Sequence, residues 1–222
     1  MNQDGTILNI NKRKGISSFD VVRYVRKVTN MKKVGHAGTL DPLANGVLLI
    51  LVGRGATKQS SELMTLPKTY ETTIRLGMKT PTLDLEGEVQ LDEHVQVPAE
   101  TVQETLARYE GEIEQVPPMY SAKRVGGRRL YKIAKEGRVV EREPARVRIH
   151  QIELLEKTDR DIRILVRCSK GTYIRSLARD IGTDLDTHGT VTALTRTAVG
   201  DYSIDEAIEL DQLESVWNSI AA

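Results

Sequence analysis

Residues 35–52 read GHAGTLDPLANGVLLILV, a glycine-rich stretch that ends in six consecutive apolar residues. A short continuous apolar run is typical of a strand buried on both faces, because a strand with one exposed face alternates apolar and polar residues. Pro42 disfavours helical geometry at Asp41, and the surrounding glycines allow a ligand to approach the backbone closely. The stretch therefore predicts a glycine-rich loop from Gly35 to Gly46, which carries the Asp41 carboxylate at the mouth of a buried strand.

The segments around this stretch alternate between helix and strand patterns. Ser17 and Asp20 form a capping box that predicts the start of a helix. Residues 70–76 alternate as in a strand with Tyr70 on its inward face. Helices are predicted over 102–109, 130–134 and 174–181, and strands over 147–155 and 162–168.

Strands and helices are mixed without a repeating strand–helix–strand order. The absence of such a repeat favours an α+β fold with a mixed, largely antiparallel central sheet and flanking helices. We expect a single domain over residues 1–222, with a basic insertion at about 118–148 that lies over a sheet.

Composition excludes several classes of protein. The chain has 222 residues, 39% of them hydrophobic, and a net charge of +1, which argues against disorder. No apolar run approaches the ~18 residues of a membrane span. The single cysteine, Cys168, argues against a disulfide scaffold, and the first residues lack the apolar core of a signal peptide. We therefore expect a cytoplasmic protein with no membrane association.

The charge is unevenly distributed. Residues 1–60 and 120–148 each hold ten Lys or Arg against three Asp or Glu, a net of +7 in each segment. Residues 81–115 and 201–222 are acidic. Two basic segments on one face would attract a polyanion such as nucleic acid, whereas solvated helices of mixed charge are the alternative interpretation.

Three residues are candidates for chemistry on their own patterns. Arg175 falls in the first turn of a predicted helix, where it could form a charge-assisted pair with Asp41. Tyr70 could stack on a planar base. Alternatively, Asp41 and Pro42 form a simple turn, Arg175 lies on the surface and Tyr70 is part of the core. The residue patterns alone do not decide between these interpretations. The four histidines and one cysteine lack metal-ligand spacing, and no dinucleotide fingerprint is present, so we expect no metal and no cofactor.

Four longer motifs occur in order along the chain: GHAGTLDPLANGV (35–47), KTYE (68–71), PMYSA (118–122) and CSKGTYIR (168–175). Together with KGISS (14–18) and TRTAVG (195–200), they resemble the TruB family of bacterial tRNA pseudouridine synthases, from about Ile7 to Ile208. The resemblance implies a pseudouridine synthase fold and the isomerisation of uridine 55 to pseudouridine in the T loop of tRNA. In this reaction the flipped-out uracil leaves C1′, rotates and reattaches through C5.

The resemblance also implies roles for the candidate catalytic residues. Asp41 matches the essential aspartate, Arg175 the arginine that pairs with it, and Tyr70 the tyrosine that stacks on the target base and is implicated in removal of the C5 proton. Asp41 would attack C1′ or C6, or act as a base at the sugar to give a glycal, and the sequence leaves these three routes open.

Further residues match positions that bind the substrate. His36 matches a histidine near the flipped-out nucleotide, and Leu194 an apolar residue against the uracil. Lys58 and Asp84 are carried over as residues that orient the loop or the base. The basic insertion matches the family's insertion that folds over the tRNA arm.

The expected partner is the T-arm stem-loop of tRNA, with no obligate protein partner and a monomeric state. The chain departs from the family's Thr-Asp-Thr at Thr80-Pro81-Thr82. We expect no C-terminal PUA domain of the kind that many relatives carry. Two alternative functions remain at this point. One is a non-catalytic factor that binds and folds the T arm, and the other is a guide-RNA-dependent relative, against which the bacterial-type motifs argue.

Overall fold

A computed structural model describes residues 5–221 of the chain, which divide into two compact units. The first unit comprises residues 5–70 and 194–221, and the second comprises residues 71–193. The expectation of a single domain stays a prediction.

The elements follow one another along the chain without a regular strand–helix alternation. The strands are β1 (Thr6–Lys12), β2 (Val34–Ala37), β3 (Asn45–Val52), β4 (Lys68–Leu76), β5 (Met78–Lys79), β6 (Leu91–Asp92), β7 (Gly111–Gln115), β8 (Arg124–Val125), β9 (Arg128–Arg129), β10 (Ala145–Lys157), β11 (Asp161–Cys168), β12 (Gly189–Val199), β13 (Tyr202–Ser203) and β14 (Ile208–Glu209). The helices are α1 (Ser18–Thr29), α2 (Gly53–Lys58), α3 (Ser60–Leu63), α4 (Ala99–Ala107), α5 (Leu130–Lys135), α6 (Ile174–Asp184) and α7 (Leu213–Ala221).

The buried strand β3 organises the sheet of the first unit. It pairs with β1 in antiparallel register from Gly46 to Val52. On its other edge, β2 pairs antiparallel with residues 49–52, and β12 pairs in parallel with Asn45 and Gly46. Because β3 has neighbours on both edges and apolar side chains on both faces, residues 47–52 are at most 1% exposed, which confirms the predicted buried strand.

The capping box at the start of α1 is present as predicted. The Ser17 side chain accepts a hydrogen bond from the backbone N–H of Asp20, and the Asp20 carboxylate accepts one from the backbone N–H of Ser17. The Ser17 hydroxyl also donates a hydrogen bond to the Asp20 carboxylate, and this bond, followed by that from Arg23, lowers the pKa of Asp20 to about 2. The cap satisfies backbone donors that have no partner within the helix.

The second unit is built on long antiparallel strands. β10 pairs with β11 on one side and with β7 on the other, and the strand order places β4 beyond β11. β4 alternates strictly between buried and half-buried residues, and Tyr70 is 9% exposed, as the alternation predicted. Two short ladders, β5–β6 and β8–β9, also lie in this unit.

The basic segment 120–148 contains β8, β9 and α5 and has a small core of its own. Met119, Leu130, Ile133 and Ala134 pack together, while Arg124, Arg128 and Arg129 are exposed. The segment therefore presents cations on a folded element, and its being an insertion over a sheet stays a prediction. Its contact with RNA stays a prediction.

The α+β class with a mixed, mostly antiparallel sheet is confirmed. One local expectation is wrong: the glycine-rich loop predicted from Gly35 to Gly46 is shorter, because the strand β2 takes up residues 34–37 and β3 begins at Asn45. Pairing of His36 with Ile50 creates this strand, and a local pattern does not encode such a long-range ladder. Within residues 5–221, no helix is long and apolar enough to cross a membrane.

Candidate active site

Asp41 lies in the loop that joins β2 to β3, at the start of the buried strand. The residue is half-buried, and its carbonyl accepts a hydrogen bond of 3.1 Å from the backbone N–H of Ala44, which closes a turn. A carboxylate carried by a closed turn beside a rigid strand has few alternative positions. The predicted position of Asp41, on a loop at the mouth of a buried strand, is thus confirmed. The catalytic role of Asp41 stays a prediction.

Ser18 ties this loop to the first turn of α1. Its hydroxyl donates a hydrogen bond of 3.0 Å to the carbonyl of Leu40 and accepts one of 2.8 Å from the backbone N–H of Leu40. Both residues are buried. The residue before Asp41 therefore has its backbone donor and acceptor satisfied by one side chain.

The buried lysine Lys12 supports the opposite side of the same turn. Its ammonium donates to the carbonyl oxygens of Arg13 and Ile16, at 2.9 and 2.8 Å, and reaches that of Pro42 at 3.5 Å. The backbone N–H of Gly15 also donates to the carbonyl of Pro42, at 2.8 Å. Two donors, one from the last residue of β1 and one from the segment after it, thus converge on the residue that follows Asp41.

Arg196 on β12 holds both ends of the Asp41 loop. Its Nε donates to the carbonyl of Val47 at 2.7 Å, and its Nη2 donates to the carbonyl of Gly38 at 3.1 Å. The residue is 1% exposed. Gly46 has a φ of +107°, and a Cβ there would collide with the carbonyl oxygen of Arg196, so this close approach requires glycine.

The strand β12 also connects the Asp41 loop to Tyr70. Thr195 donates a hydrogen bond of 3.0 Å to the side chain of Asn45, and Thr197 donates one of 3.3 Å to the carbonyl of Thr69, the residue before Tyr70. Leu194, which directly precedes Thr195 on β12, is 6% exposed. The first unit thus groups the carboxylate loop, an apolar side chain and an aromatic side chain around β12.

His36 lies on β2, five residues before Asp41 and paired with Ile50. Burial lowers the pKa of the His36 imidazole below its usual value of 6.5, and the positive charge of Arg196 lowers it further. The imidazole is therefore neutral at pH 7 and has one N–H donor and one acceptor nitrogen.

Arg175 and Asp84 form a buried ion pair in the second unit. Arg175 Nε lies 3.5 Å from Asp84 Oδ2, and their side chains are 5% and 1% exposed. The guanidinium also donates to the carbonyl oxygens of Thr82 and Tyr120, each at 2.9 Å. Thr80 and Thr82, at the departure from the family's Thr-Asp-Thr, both donate to the carbonyl of Asp84. These contacts fix Arg175 in the first turn of α6, as predicted.

The predicted site residues fall into two groups. Asp41, His36, Tyr70 and Leu194 belong to the first unit, as does Lys58, which is exposed at the end of α2. The second unit brings Asp84 and Arg175 together. The pairing of Asp41 with Arg175 stays a prediction.

Three residues that hold the Asp41 loop were missing from the sequence-based site: Lys12, Ser18 and Arg196. Lys12 extends the buried face formed by Leu8 and Ile10 in β1, and Arg196 follows Leu194 by two residues. A charged residue at a buried position of an alternating strand is the signal that could have identified both. Between residues 5 and 221, no group of three or more His, Cys, Asp and Glu side chains is arranged to hold a metal ion.

Two family models match the chain in succession. The model described as TruB family pseudouridylate synthase (N terminal domain) matches residues 26–174, and that described as tRNA pseudouridylate synthase B C-terminal domain matches residues 175–221.

Individual relatives agree with the family models. The chain is 46% identical over 209 residues to the tRNA pseudouridine synthase B of Clostridium kluyveri, covering 94% of this chain and 72% of the relative. It is 45% identical over 219 residues to the protein of the same name from Francisella tularensis subsp. tularensis, covering 97% and 72%. A chain in the crystal structure of a Cbf5-Nop10-Gar1 complex superposes with a TM-score of 0.76 at 29% identity. That match covers 99% of this chain and 57% of the other, so this chain spans little more than half of its length. The motifs, the fold and these matches agree, and the chain belongs to the TruB family of pseudouridylate synthases.

Proposed function

We propose that this chain converts uridine 55 in the T loop of tRNA to pseudouridine, with Asp41 as the catalytic carboxylate. The observation that carries the proposal is the construction of the Asp41 loop. Side chains from three separate elements, Lys12, Ser18 and Arg196, hold its backbone on both sides of the carboxylate. Such fixation of a reactive group removes the cost of ordering it during the reaction.

The proposed reaction exchanges one glycosidic bond for another. The N1–C1′ bond breaks, the uracil turns, a C5–C1′ bond forms, and the proton on C5 leaves as N1 gains one. Substrate and product are isomers, so the reaction needs no redox partner and no group donor. A carboxylate that is held in place, and is accessible to an extruded nucleotide, is the group that this exchange requires.

The remaining residues are proposed to hold the extruded nucleotide. Tyr70 offers an aromatic face for stacking, worth ~1–3 kcal/mol for a base, and Leu194 offers an apolar wall. The neutral His36 can both donate and accept a hydrogen bond near the flipped nucleotide. Lys58, Asp84 and Arg175 complete the proposed set as residues that orient the loop, the base and the carboxylate. Flipping costs a few kcal/mol, which stacking and phosphate contacts offset.

The T-arm stem-loop of tRNA is the proposed substrate. The curated relatives are named tRNA pseudouridine synthase B, and the basic segments 1–60 and 120–148 suit a polyanion. We place the reaction in the cytoplasm and expect a monomer that acts without an obligate protein partner, with the whole chain as one catalytic domain. The alternative of a non-catalytic factor that folds the T arm is not favoured, because the relatives are named as synthases.

The test is conversion of an unmodified tRNA transcript by the isolated chain. Pseudouridine mapped at position 55, and absent from a matched transcript with cytidine at that position, supports the proposal. A T-arm hairpin should also be converted. Binding of either RNA without conversion would replace the proposal with the T-arm factor.

A further inference from the structure

The outward face of α1 carries an aromatic ring between two arginines. Phe19, Arg23 and Arg26 are spaced four and three residues apart, which places them on one face of the helix. The guanidinium carbons of Arg23 and Arg26 lie 5.8 and 5.9 Å from the centre of the Phe19 ring, within cation–π distance. Phe19 is the only phenylalanine of the chain, and it is 55% exposed.

The helix α1 and the residues that directly follow it carry a strong positive charge. Between residues 18 and 33 the chain has five Lys or Arg and one acidic residue, Asp20. Asp20 is engaged in the helix cap and in an ion pair with Arg23. Lys27, Lys32 and Lys33 are exposed. The aromatic ring therefore lies within a cationic surface, whose complement is a polyanion rather than an apolar partner.

The same face begins beside the loop that carries Asp41. Ser18, which exchanges two hydrogen bonds with Leu40, is the residue immediately before Phe19. The first turn of α1 thus contacts the Asp41 loop with its buried side and presents Phe19 outward. The cationic face of α1 therefore begins at the residue that follows a direct contact with the Asp41 loop.

We propose that the α1 face formed by Phe19, Arg23 and Arg26 binds phosphates of the substrate RNA outside the target loop. The inference rests on the proposed function. The Phe19 ring holds the two guanidiniums in position, and each guanidinium binds a phosphate through paired N–H donors. Fixing the arginines before binding reduces the ordering cost of long side chains.

The test compares tRNA binding by wild type, Arg23→Gln, Arg23→Gln/Arg26→Gln and Phe19→Leu between 50 and 200 mM salt. Arg108→Gln is the control, because Arg108 is exposed in the acidic segment 81–115. Loss of two phosphate contacts should reduce the slope of log K against log salt by about 1.5 and weaken binding about tenfold at low salt. Arg23→Gln alone should give about half of that change in slope. Phe19→Leu should weaken binding with the slope retained, because both charges remain.

Each outcome separates this inference from the proposed function. Circular dichroism of each variant checks folding, since Arg26 also donates to the carbonyl of Val34. Product formation at saturating tRNA should stay at the wild-type rate in all of the variants. If wild type forms pseudouridine and the arginine variants bind tRNA with its affinity and slope, the inference alone is overturned. If wild type forms no pseudouridine, the proposed function fails and the inference fails with it.

Discussion

The guanidinium of Arg196 donates a hydrogen bond of 2.7 Å to the carbonyl of Val47 from a position that is 1% exposed. Its other nitrogens reach Gly38 and Thr39, so one buried side chain spans the loop that carries Asp41. The acceptors are all backbone carbonyls, and each would be left without this donor if the guanidinium were removed.

Arg196→Met should therefore lower turnover far more than it lowers tRNA affinity. Freeing a buried carbonyl costs about 1–3 kcal/mol, and a displacement of a reactive group by about 1 Å can cost about 100-fold in rate. Arg196→Lys keeps the charge but cannot reach both ends of the loop, so it should restore little. Single-turnover rates and tRNA affinities, with Arg108→Met as the control because Arg108 is exposed in the acidic segment 81–115, test this. A folded Arg196→Met protein with wild-type turnover would contradict the positioning role.

Ser18→Ala should impair both stability and turnover, because it removes both hydrogen bonds to Leu40. We expect a loss of about 1–3 kcal/mol in the free energy of unfolding, since Leu40 is buried. The neighbouring Ser17→Ala removes the helix cap and should cost about 1 kcal/mol, with turnover unchanged. Equal turnover in the two variants, measured under conditions where both are folded, would show that Ser18 does not position the loop.

His36 predicts a pH dependence of stability below pH 6.5. Its folded-state pKa is lowered, mainly by burial, so the unfolded chain takes up a proton before the folded chain does. The free energy of unfolding should therefore fall as the pH drops from about 6.5 towards the folded-state pKa, by at most about 1.4 kcal/mol per pH unit. Urea unfolding measured from pH 8 to 5 should show this decrease in the free energy of unfolding for wild type. The decrease should be absent from His36→Gln. The exposed His150→Gln is the control, and parallel curves for wild type and His36→Gln would refute the prediction.

The Arg175–Asp84 pair should couple strongly in a double-mutant cycle. Both side chains are buried, and removing one partner of such a pair typically costs about 3–5 kcal/mol. The cycle of Arg175→Met and Asp84→Ala, measured by chemical denaturation, should give a coupling energy above 1 kcal/mol. Arg146 and Glu114 provide the matched control, since they lie 3.7 Å apart with side chains 82% and 66% exposed and should couple by less than 1 kcal/mol. Similar coupling in the two cycles would contradict the buried pair.

Local patterns predicted the elements whose signals lie within a few residues. The capping box at Ser17, the apolar run of β3 and the alternation of β4 each depend on neighbouring residues, and all three are confirmed. The strand β2 could not be predicted in this way, because its pairing partner is β3 and its own four residues include glycine and histidine.

The supports of the candidate site depend on contacts between distant segments. Arg196 and Val47 are 149 residues apart, and no local pattern encodes their hydrogen bond. The resemblance supplied Arg175 and Asp84 as separate residues, but not their contact with each other. The sequence thus supplied the candidate residues of the site, whereas the partners that orient them required the fold.

The proposed function depends above all on the carboxylate of Asp41, which performs the isomerisation. The most direct measurement is tritium release from a tRNA transcript with 5-tritiated uridine, comparing wild type with Asp41→Asn, which replaces the carboxylate with an amide of nearly the same size. We expect rapid release by wild type and none above background by Asp41→Asn, with fold and tRNA affinity retained. Substantial release by a folded Asp41→Asn protein would contradict it.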